Sequence, residues 1–457
     1  MAYKRDKIRM KSNLDDKILL EESPIRRLFF KYAIPSVVTV LFFGFQNIID
    51  GIIVGNYVGS DALGGVNFIL PFYSFIMVVA LIIGIGCETI VSIGVGEKDI
   101  SKARNAMSTG FWALLTISIT LTIFLWFFAE DFTTILGADQ RLLPHAMNYL
   151  KGLVPFILPI ELCFYSDAML KATGHPRFSM VIMSLTVILN IILSLFFVIQ
   201  MGMGTMGASL ATGLAFTIGC IVSGYITFNP KQQISMLKGK FKWKLLQNAL
   251  YNGSSEGVSE LASAISILVI NLTMIKLVGA DGVAAFTAIN YINFTGVLVF
   301  LGVSDGLIPV LSYNYGAKNF KRVKSILNFA ACFNAILGLS IFLVLQVFGN
   351  FIVQLFFDNN SKVITDLAAQ GLFIYSFVFL INGLNVLITS FFTSIGDAKK
   401  SIVIATLRGV VFLLVGVSVF PIFGGINGVW LSIPIAEFLT FLVAFKLSLN
   451  ASRKFLK

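Results

Sequence analysis

Long apolar stretches follow one another along almost the whole chain, and each must be buried in something other than water. Twelve can be delimited, at about 31–54, 64–94, 110–129, 149–170, 178–200, 206–228, 247–275, 283–312, 326–349, 367–393, 401–422 and 427–449. A helix crosses the roughly 30 Å of bilayer hydrocarbon with about 20 apolar residues, and inside lipid only helices or closed barrels satisfy their own backbone groups. Strand-like alternation is absent, which excludes a β-barrel. Several stretches exceed the length of one crossing, so tilted or broken helices are expected. Composition removes the soluble alternative: of 457 residues 57% are hydrophobic and only 12% charged, against about 25% charged in soluble domains. The sequence therefore predicts an all-α polytopic membrane protein of about twelve transmembrane helices.

The basic residues give the orientation. Of the 34 Lys and Arg residues, only Arg141, Lys151, Lys276 and Lys362 fall in the loops of one side, and Arg408 lies within a span. The rest gather on the other side, which the positive-inside rule makes cytoplasmic, with both termini there. The net charge of +11 then reflects topology and contact with anionic lipids rather than nucleic-acid binding. The first 30 residues are charged throughout (Lys4, Arg5, Asp6, Lys7, Arg9, Lys11, Asp15, Asp16) and lack the apolar core of a signal peptide. The segment around Glu21, Glu22, Arg26 and Arg27 is expected as a surface helix leading into the first span.

The chain also repeats itself. Shifted by 220 residues, Val58-Gly59-Ser60-Asp61 meets Val278-Gly279-Ala280-Asp281, and Gly86, Ser92, Gly96 and Lys98 meet Gly306, Ser312, Gly316 and Lys318. Ten identities fall over residues 57–104. A shift of 222 sets Gly174 on Gly396, and one of 221 sets Gly204 and Gly207 on Gly425 and Gly428. The expected organisation is a cytoplasmic segment 1–30, a six-helix bundle 31–228, a basic linker 229–244, a second six-helix bundle 245–449 and a cytoplasmic tail 450–457. Six is even, so both halves enter the membrane with the same orientation, a layout suited to rocking about a central cleft.

Polar residues within spans are expensive and face the interior or water. In the first span, Gln46 and Asn47 lie one turn before Asp50. Asp50 is a candidate for reversible protonation or cation binding; the alternative is a carboxylate solvated or bonded near the outer end of its span. Glu88, Glu161 and the pair Glu256 and Glu260 are further candidates, each with a structural polar contact as the other reading. Asp305, Arg408 and Glu437 complete the ionisable groups of the second half, with Arg408 expected to pair with a carboxylate. Asn190 and Asn271 can offer amide oxygens to a cation, although such amides more often bond across helices. Asp167 reads as structural. His145 and His175 lie in loops, and Cys87, Cys163, Cys220 and Cys332 fit no metal spacing. No G-x-x-x-x-G-K-[ST], H-E-x-x-H or G-x-S-x-G pattern occurs, so neither ATP hydrolysis nor other enzymatic chemistry is expected. Transport must draw on an ion gradient or run downhill.

Four motifs stand in order along the chain: Glu22-Ser23-Pro24, Leu170-Lys171-Ala172-Thr173-Gly174, the run Gly302-Val303-Ser304-Asp305-Gly306-Leu307-Ile308-Pro309 continuing to Ser312-Tyr313-Asn314-Tyr315-Gly316, and Ile435-Ala436-Glu437. Together they resemble the multidrug and toxic compound extrusion (MATE) family, in its multidrug export branch of the MOP flippase superfamily. The resemblance covers about residues 20–448. It implies a V-shaped pair of six-helix bundles in a bacterial plasma membrane. It implies export of amphipathic, cationic compounds in exchange for H⁺ or Na⁺, and hence a role in xenobiotic transport and antibiotic resistance. No cofactor beyond the coupling ion, no nucleic-acid partner and a monomeric state are expected. Asp50 and Asn190 match the family's first-half cation site, a possible Na⁺ site, but Ser194 stands where that site has a second Asp, and Glu256 and Glu260 are slightly out of register with the family's second-half carboxylate. The candidate set is thus Gln46, Asn47, Asp50, Glu88, Glu161, Asn190, Glu256, Glu260 and Asp305. A lipid-linked glycan flippase would call for more helices and a basic cleft, and a major-facilitator transporter for D-R-x-G-R after the second span, where this chain reads Gly96-Glu97-Lys98-Asp99.

Overall fold

The computed structural model describes residues 20–135, 141–357 and 362–455. The charged run from Lys4 to Asp16 lies outside the described residues. Among them the chain is mostly helix, with no strand. The first half runs α1 (Ile25–Tyr57), α2 (Ser60–Gly96), α3 (Ile100–Ile135), α4 (Leu143–Leu153), α5 (Ile157–Ala172), α6 (Pro176–Ser194) and α7 (Gly204–Thr227). The second runs α8 (Trp243–Leu277), α9 (Ala280–Gly316), α10 (Phe320–Gln354), α11 (Lys362–Tyr375), α12 (Phe379–Ser394), α13 (Ala398–Thr406) and α14 (Phe412–Phe455). A 3₁₀ turn joins α4 to α5 at Val154–Phe156 and α11 to α12 at Ser376–Val378. Wide π turns follow α6 at Leu195–Gln200 and α13 at Leu407–Val411.

Eleven continuous helical stretches among the described residues are long and apolar enough to cross a membrane. The last, Ala398–Arg453, has 56 residues and would extend about 84 Å as one helix, far beyond one crossing. It is broken at Gly425, whose φ of 53° and ψ of −132° are not helical. Among the described residues the crossings therefore number twelve. The helices begin and end several residues outside the apolar stretches, because backbone hydrogen bonding continues into the polar interface. Of the segment around Glu21, Glu22, Arg26 and Arg27, expected as a surface helix, residues 20–22 are helical and separated from α1 by Ser23-Pro24, while Arg26 and Arg27 lie in the first turn of α1. Large apolar side chains stay exposed on the outer faces, among them Trp126, Phe127, Val347 and Phe423. Such a surface is tolerable only where lipid is the solvent.

The described chain divides into two compact units: 34–253, and 20–33 with 254–455. The division in mid-chain therefore falls after Gly253 rather than within the basic linker 229–244. The reason is visible in the basic segment after α7, which is strapped to α3. Arg104 Nε donates to the Gln233 carbonyl at 2.6 Å and Ser108 Oγ to that of Met236 at 2.6 Å. The backbone N–H groups of Gly239, Lys240 and Lys242 donate in turn to Ser108, Asn105 and Thr109 at 2.9, 2.8 and 3.0 Å. In the other unit a similar strap holds residues 20–33. Arg322 Nε donates to the Leu20 carbonyl at 3.0 Å, Tyr313 donates to Glu21 at 2.8 Å, and the Phe29 ring sits 5.0 Å from those of Phe329 and Phe333.

The internal repeat is written into the backbone. Gly59 and Gly279, Lys98 and Lys318, Gly174 and Gly396, and Gly204 and Gly425 all have positive φ. These are the pairs that the sequence shifts align. At Lys98 and Lys318 the turn is a Schellman cap: Asp99 N donates to Gly94 O and Asn319 N to Asn314 O, both at 2.9 Å. Within the first unit the core gathers Ile69, Leu150, Ile160 and Phe216, and within the second Phe286, Phe300, Phe379 and Trp430.

Candidate functional site

Two pairs of polar residues, each one helical turn apart, meet in the first unit. α1 brings Gln46 and Asp50, α6 brings Asn190 and Ser194, and α7 adds Thr212. Gln46, Asn190, Ser194 and Thr212 are all buried. Ser194 Oγ donates to Asp50 Oδ1 at 3.2 Å. The residue that departs from the family pattern thus stays in the site as a hydroxyl donor. Tyr73 of α2 and Tyr149 of α4 lie close enough to feel the charge of Asp50.

Asn190 completes the site. Its amide nitrogen donates to both Asp50 carboxylate oxygens at 3.1 and 3.2 Å, while its oxygen accepts from Thr212 Oγ1 at 3.0 Å and Thr212 N at 3.3 Å. The reverse orientation would set the amide oxygen against the carboxylate and the nitrogen against the Thr212 N–H, like against like. The arrangement suits an ionised Asp50. Gln46 Oε1 is buried beside them without a hydrogen-bond partner, a further oxygen free to meet a cation. The donor set therefore fits either H⁺ or Na⁺. Among the described residues, no three His, Cys, Asp or Glu side chains converge as a transition-metal site, so neutral oxygens would supply the other ligands.

Ion pairing sorts the acids of the molecule. Asp61 pairs with Arg141 at 2.6 Å, Glu97 with Lys102 at 2.8 Å, Asp167 with Lys171 at 2.7 Å and Asp397 with Lys400 at 2.5 Å. These carboxylates serve helix ends and loops. Asp50 and Glu161 have no such cation among the described residues. Asn47 is exposed on α1, one residue round from buried Gln46, and does not join the Asp50 cluster. Glu88 is fully buried on α2, and Glu161 is fully buried on α5, where Ser118 of α3 donates to it.

A second acidic group lies in the other unit. Glu256 of α8 is within electrostatic reach of Asp305 on α9, of Glu260 one turn along and of Arg408. Arg408 also acts on Glu260. It rides on the π turn after α13, which packs on α8: Ser266 Oγ donates to the Gly409 carbonyl at 2.8 Å. Arg408 Nε also stands 3.6 Å from Glu437 Oε1. Glu437 is nonetheless satisfied by neutral donors, Asn382 Nδ2 at 2.8 Å and Asn385 Nδ2 at 2.6 Å. Asn382, Asn385 and Thr212 were not among the residues that sequence singled out. The two Asn residues, three apart in an apolar span, carried the same signal as Asn190; Thr212 carried none, since hydroxyls are common in such spans.

The sequence profile of the MatE family matches residues 35–196 and 257–417, two stretches whose starts lie 222 residues apart. The chain is 23% identical over 430 residues to the multidrug export protein MepA of Staphylococcus aureus (strain MRSA252), covering 93% of each. It is 24% identical over 424 residues to MepA of Staphylococcus haemolyticus (strain JCSC1435), covering 91% of this chain and 92% of that one. Among solved structures, an outward-facing multidrug resistance MATE family transporter of the MOP superfamily superposes with a TM-score of 0.89 at 22% identity, over 95% of this chain and 98% of that one. A MOP superfamily transporter from Pyrococcus furiosus, described as having a binding pocket of reverse polarity, gives a TM-score of 0.89 at 22% identity, over 96% and 98%.

Proposed function

Because the chain belongs to the MatE family, we propose that it is a secondary active multidrug exporter, moving amphipathic, cationic compounds outward in exchange for H⁺ or Na⁺ by alternating access. The observation that carries this reading is Asp50: an intramembrane carboxylate met by the Ser194 hydroxyl and the Asn190 amide rather than by a fixed cation. An acid so placed is stable enough to persist and free to exchange one cation for another. The names of the relatives, multidrug export proteins, point the same way.

Exchange requires no covalent step. The coupling ion binds at Asp50; on its release the Asn190 amide nitrogen and the Ser194 hydroxyl hold the ionised carboxylate. The ion's differential affinity for the two states of the protein decides their populations. Glu256 and Glu260, with Arg408 as their nearby base, form the second acidic group on which a cationic substrate can be held. The protein works as a monomer in a bacterial plasma membrane, with both termini cytoplasmic.

The test is uptake of a fluorescent organic cation into everted membrane vesicles under an imposed pH or Na⁺ gradient. Gradient-driven uptake in the wild type and its loss in Asp50→Asn are expected. Flux that ignores both gradients, or full activity in Asp50→Asn, overturns the assignment.

A further inference from the structure

Glu161 is the carboxyl group that the Asp50 site does not use. It is 0% exposed, and so is Ser118, its hydrogen-bond partner on α3. Its neighbours along α5, Ile160, Leu162 and Cys163, are apolar and buried. Its second oxygen, Oε1, has no hydrogen-bond partner.

Counting hydrogens at Ser118 decides which form of Glu161 fits. Ser118 Oγ lies within hydrogen-bonding distance of Glu161 Oε2 and also of the Leu114 carbonyl oxygen, at 2.7 Å. A hydroxyl has one hydrogen to donate. Leu114 O already accepts the Ser118 backbone N–H within α3, so an ionised Glu161 could take the hydroxyl hydrogen, but that would be its single hydrogen bond, from a neutral donor, with Oε1 left bare. A buried charge so poorly supported is among the costliest arrangements in a protein. With Glu161 protonated, every group is used: the carboxyl O–H donates to Ser118 Oγ, and the Ser118 O–H donates to Leu114 O. Only the carbonyl oxygen of a neutral acid then lacks a partner.

Among the described residues no basic side chain pairs with Glu161. The helices packed against α5 carry Asp61, Tyr73, Cys87 and Glu88 on α2, Lys102 and Arg104 on α3, Arg177 on α6, and Cys220 and Tyr225 on α7; α5 itself carries Cys163, Tyr165, Asp167 and Lys171. Lys102 is taken by Glu97 at 2.8 Å. Tyr165 donates to the Met107 carbonyl at 2.7 Å, and Asp167 is taken by Lys171 at 2.7 Å. Arg104 is engaged with the Gln233 carbonyl at 2.6 Å. None of these groups pairs with Glu161. A hard cation such as Na⁺ is also disfavoured, because it needs a shell of several oxygen ligands and the site offers Ser118 and Leu114 beside the carboxyl itself.

We propose that Glu161 is a proton-binding site of the first unit, separate from Asp50, which holds its proton in the chain Glu161–Ser118–Leu114. Its place in coupling rests on the exporter reading above; its protonation does not. Exchange of the proton requires the α3–α5 contact at Ser118 to open, which would tie protonation to the packing of those two helices.

Infrared spectroscopy of the purified full-length protein tests this directly. The wild type and Asp50→Asn should both show, at neutral pH, the C=O stretch of a buried protonated carboxyl group. Glu161→Gln should lose that band, and Ser118→Ala should shift it to higher frequency by removing its hydrogen bond. Loss of an ionised-carboxylate band in Glu161→Gln, or an unchanged spectrum in Ser118→Ala, overturns the proposal; the Ser118 variant keeps the question decidable if Glu161→Gln does not fold. In vesicles, Glu161→Gln should reduce efflux driven by a pH gradient. A protein that exports nothing but keeps the band would sink the exporter reading and leave the proton site standing.

Discussion

Lys98 and Lys318 hold left-handed backbone, with φ of 64° and 56°, where an L side chain costs roughly 1–2 kcal/mol. Each closes its helix with a bond from the following residue back to the last turn, so the conformation is set by the cap and not by the residue. Replacing either Lys with Gly should therefore stabilise the protein by about 1 kcal/mol, read as a higher midpoint of thermal unfolding in detergent; an unchanged or lower midpoint would show that the lysine side chains contribute contacts that outweigh the strain. The same pair shows how residue-level signals work in this chain. Their identity under a 220-residue shift revealed a repeat, but a lysine gives no hint of positive φ, whereas Gly174 and Gly396, also left-handed, were legible as turns. At the site, Asp50 and Asn190 were legible because charge and amide are rare in apolar spans. The donation from Ser194 to Asp50 was not, since a serine reads as a loss of charge until its hydroxyl is placed.

Helix crossings carry the next level of specification. α2 and the start of α8 meet through small residues: a Cβ on Gly86 would strike the backbone carbonyl of Ala249, and one on Gly253 that of Ile82. Two pairs four residues apart, Ile82 with Gly86 and Ala249 with Gly253, thus bring the backbones together as membrane helices do with small residues. Gly86→Val should force the helices apart at a cost of about 1–3 kcal/mol, lowering thermal stability and the yield of folded protein. Gly51→Ala, where an added Cβ meets nothing within 4 Å, is the control and should leave both unchanged. Equal behaviour of the two variants would contradict this account of the crossing. The crossing also explains why the unit boundary escaped sequence reasoning. Hydropathy marks where a span begins but not what its first turns pack against, and here residues through Gly253 belong with α2 and α3. The π turns after α6 and α13 were equally silent, because a wide turn in an apolar segment changes no periodicity that a short window can detect.

For the whole molecule, the bilayer dictated most of what could be foreseen. Twelve crossings follow from apolar length alone, and the match of one family profile to two stretches of similar length agrees with the repeat visible in the sequence. Chemistry was less legible than architecture, because what distinguishes a working acid from a structural one is the presence of a fixed partner. Asp61, Asp167 and Glu437 sit beside Arg141, Lys171 and Arg408, and those partners lie up to 80 residues away in sequence. The central claim is that Asp50 holds the coupling cation and the substrate's charge in alternation. The most direct test is to add a cationic substrate to purified protein in weakly buffered solution and measure the H⁺ or Na⁺ released. The account predicts release in the wild type and a clear loss of it in Asp50→Asn with the fold intact. Binding of substrate with no cation released, or the same release from Asp50→Asn as from the wild type, would contradict it.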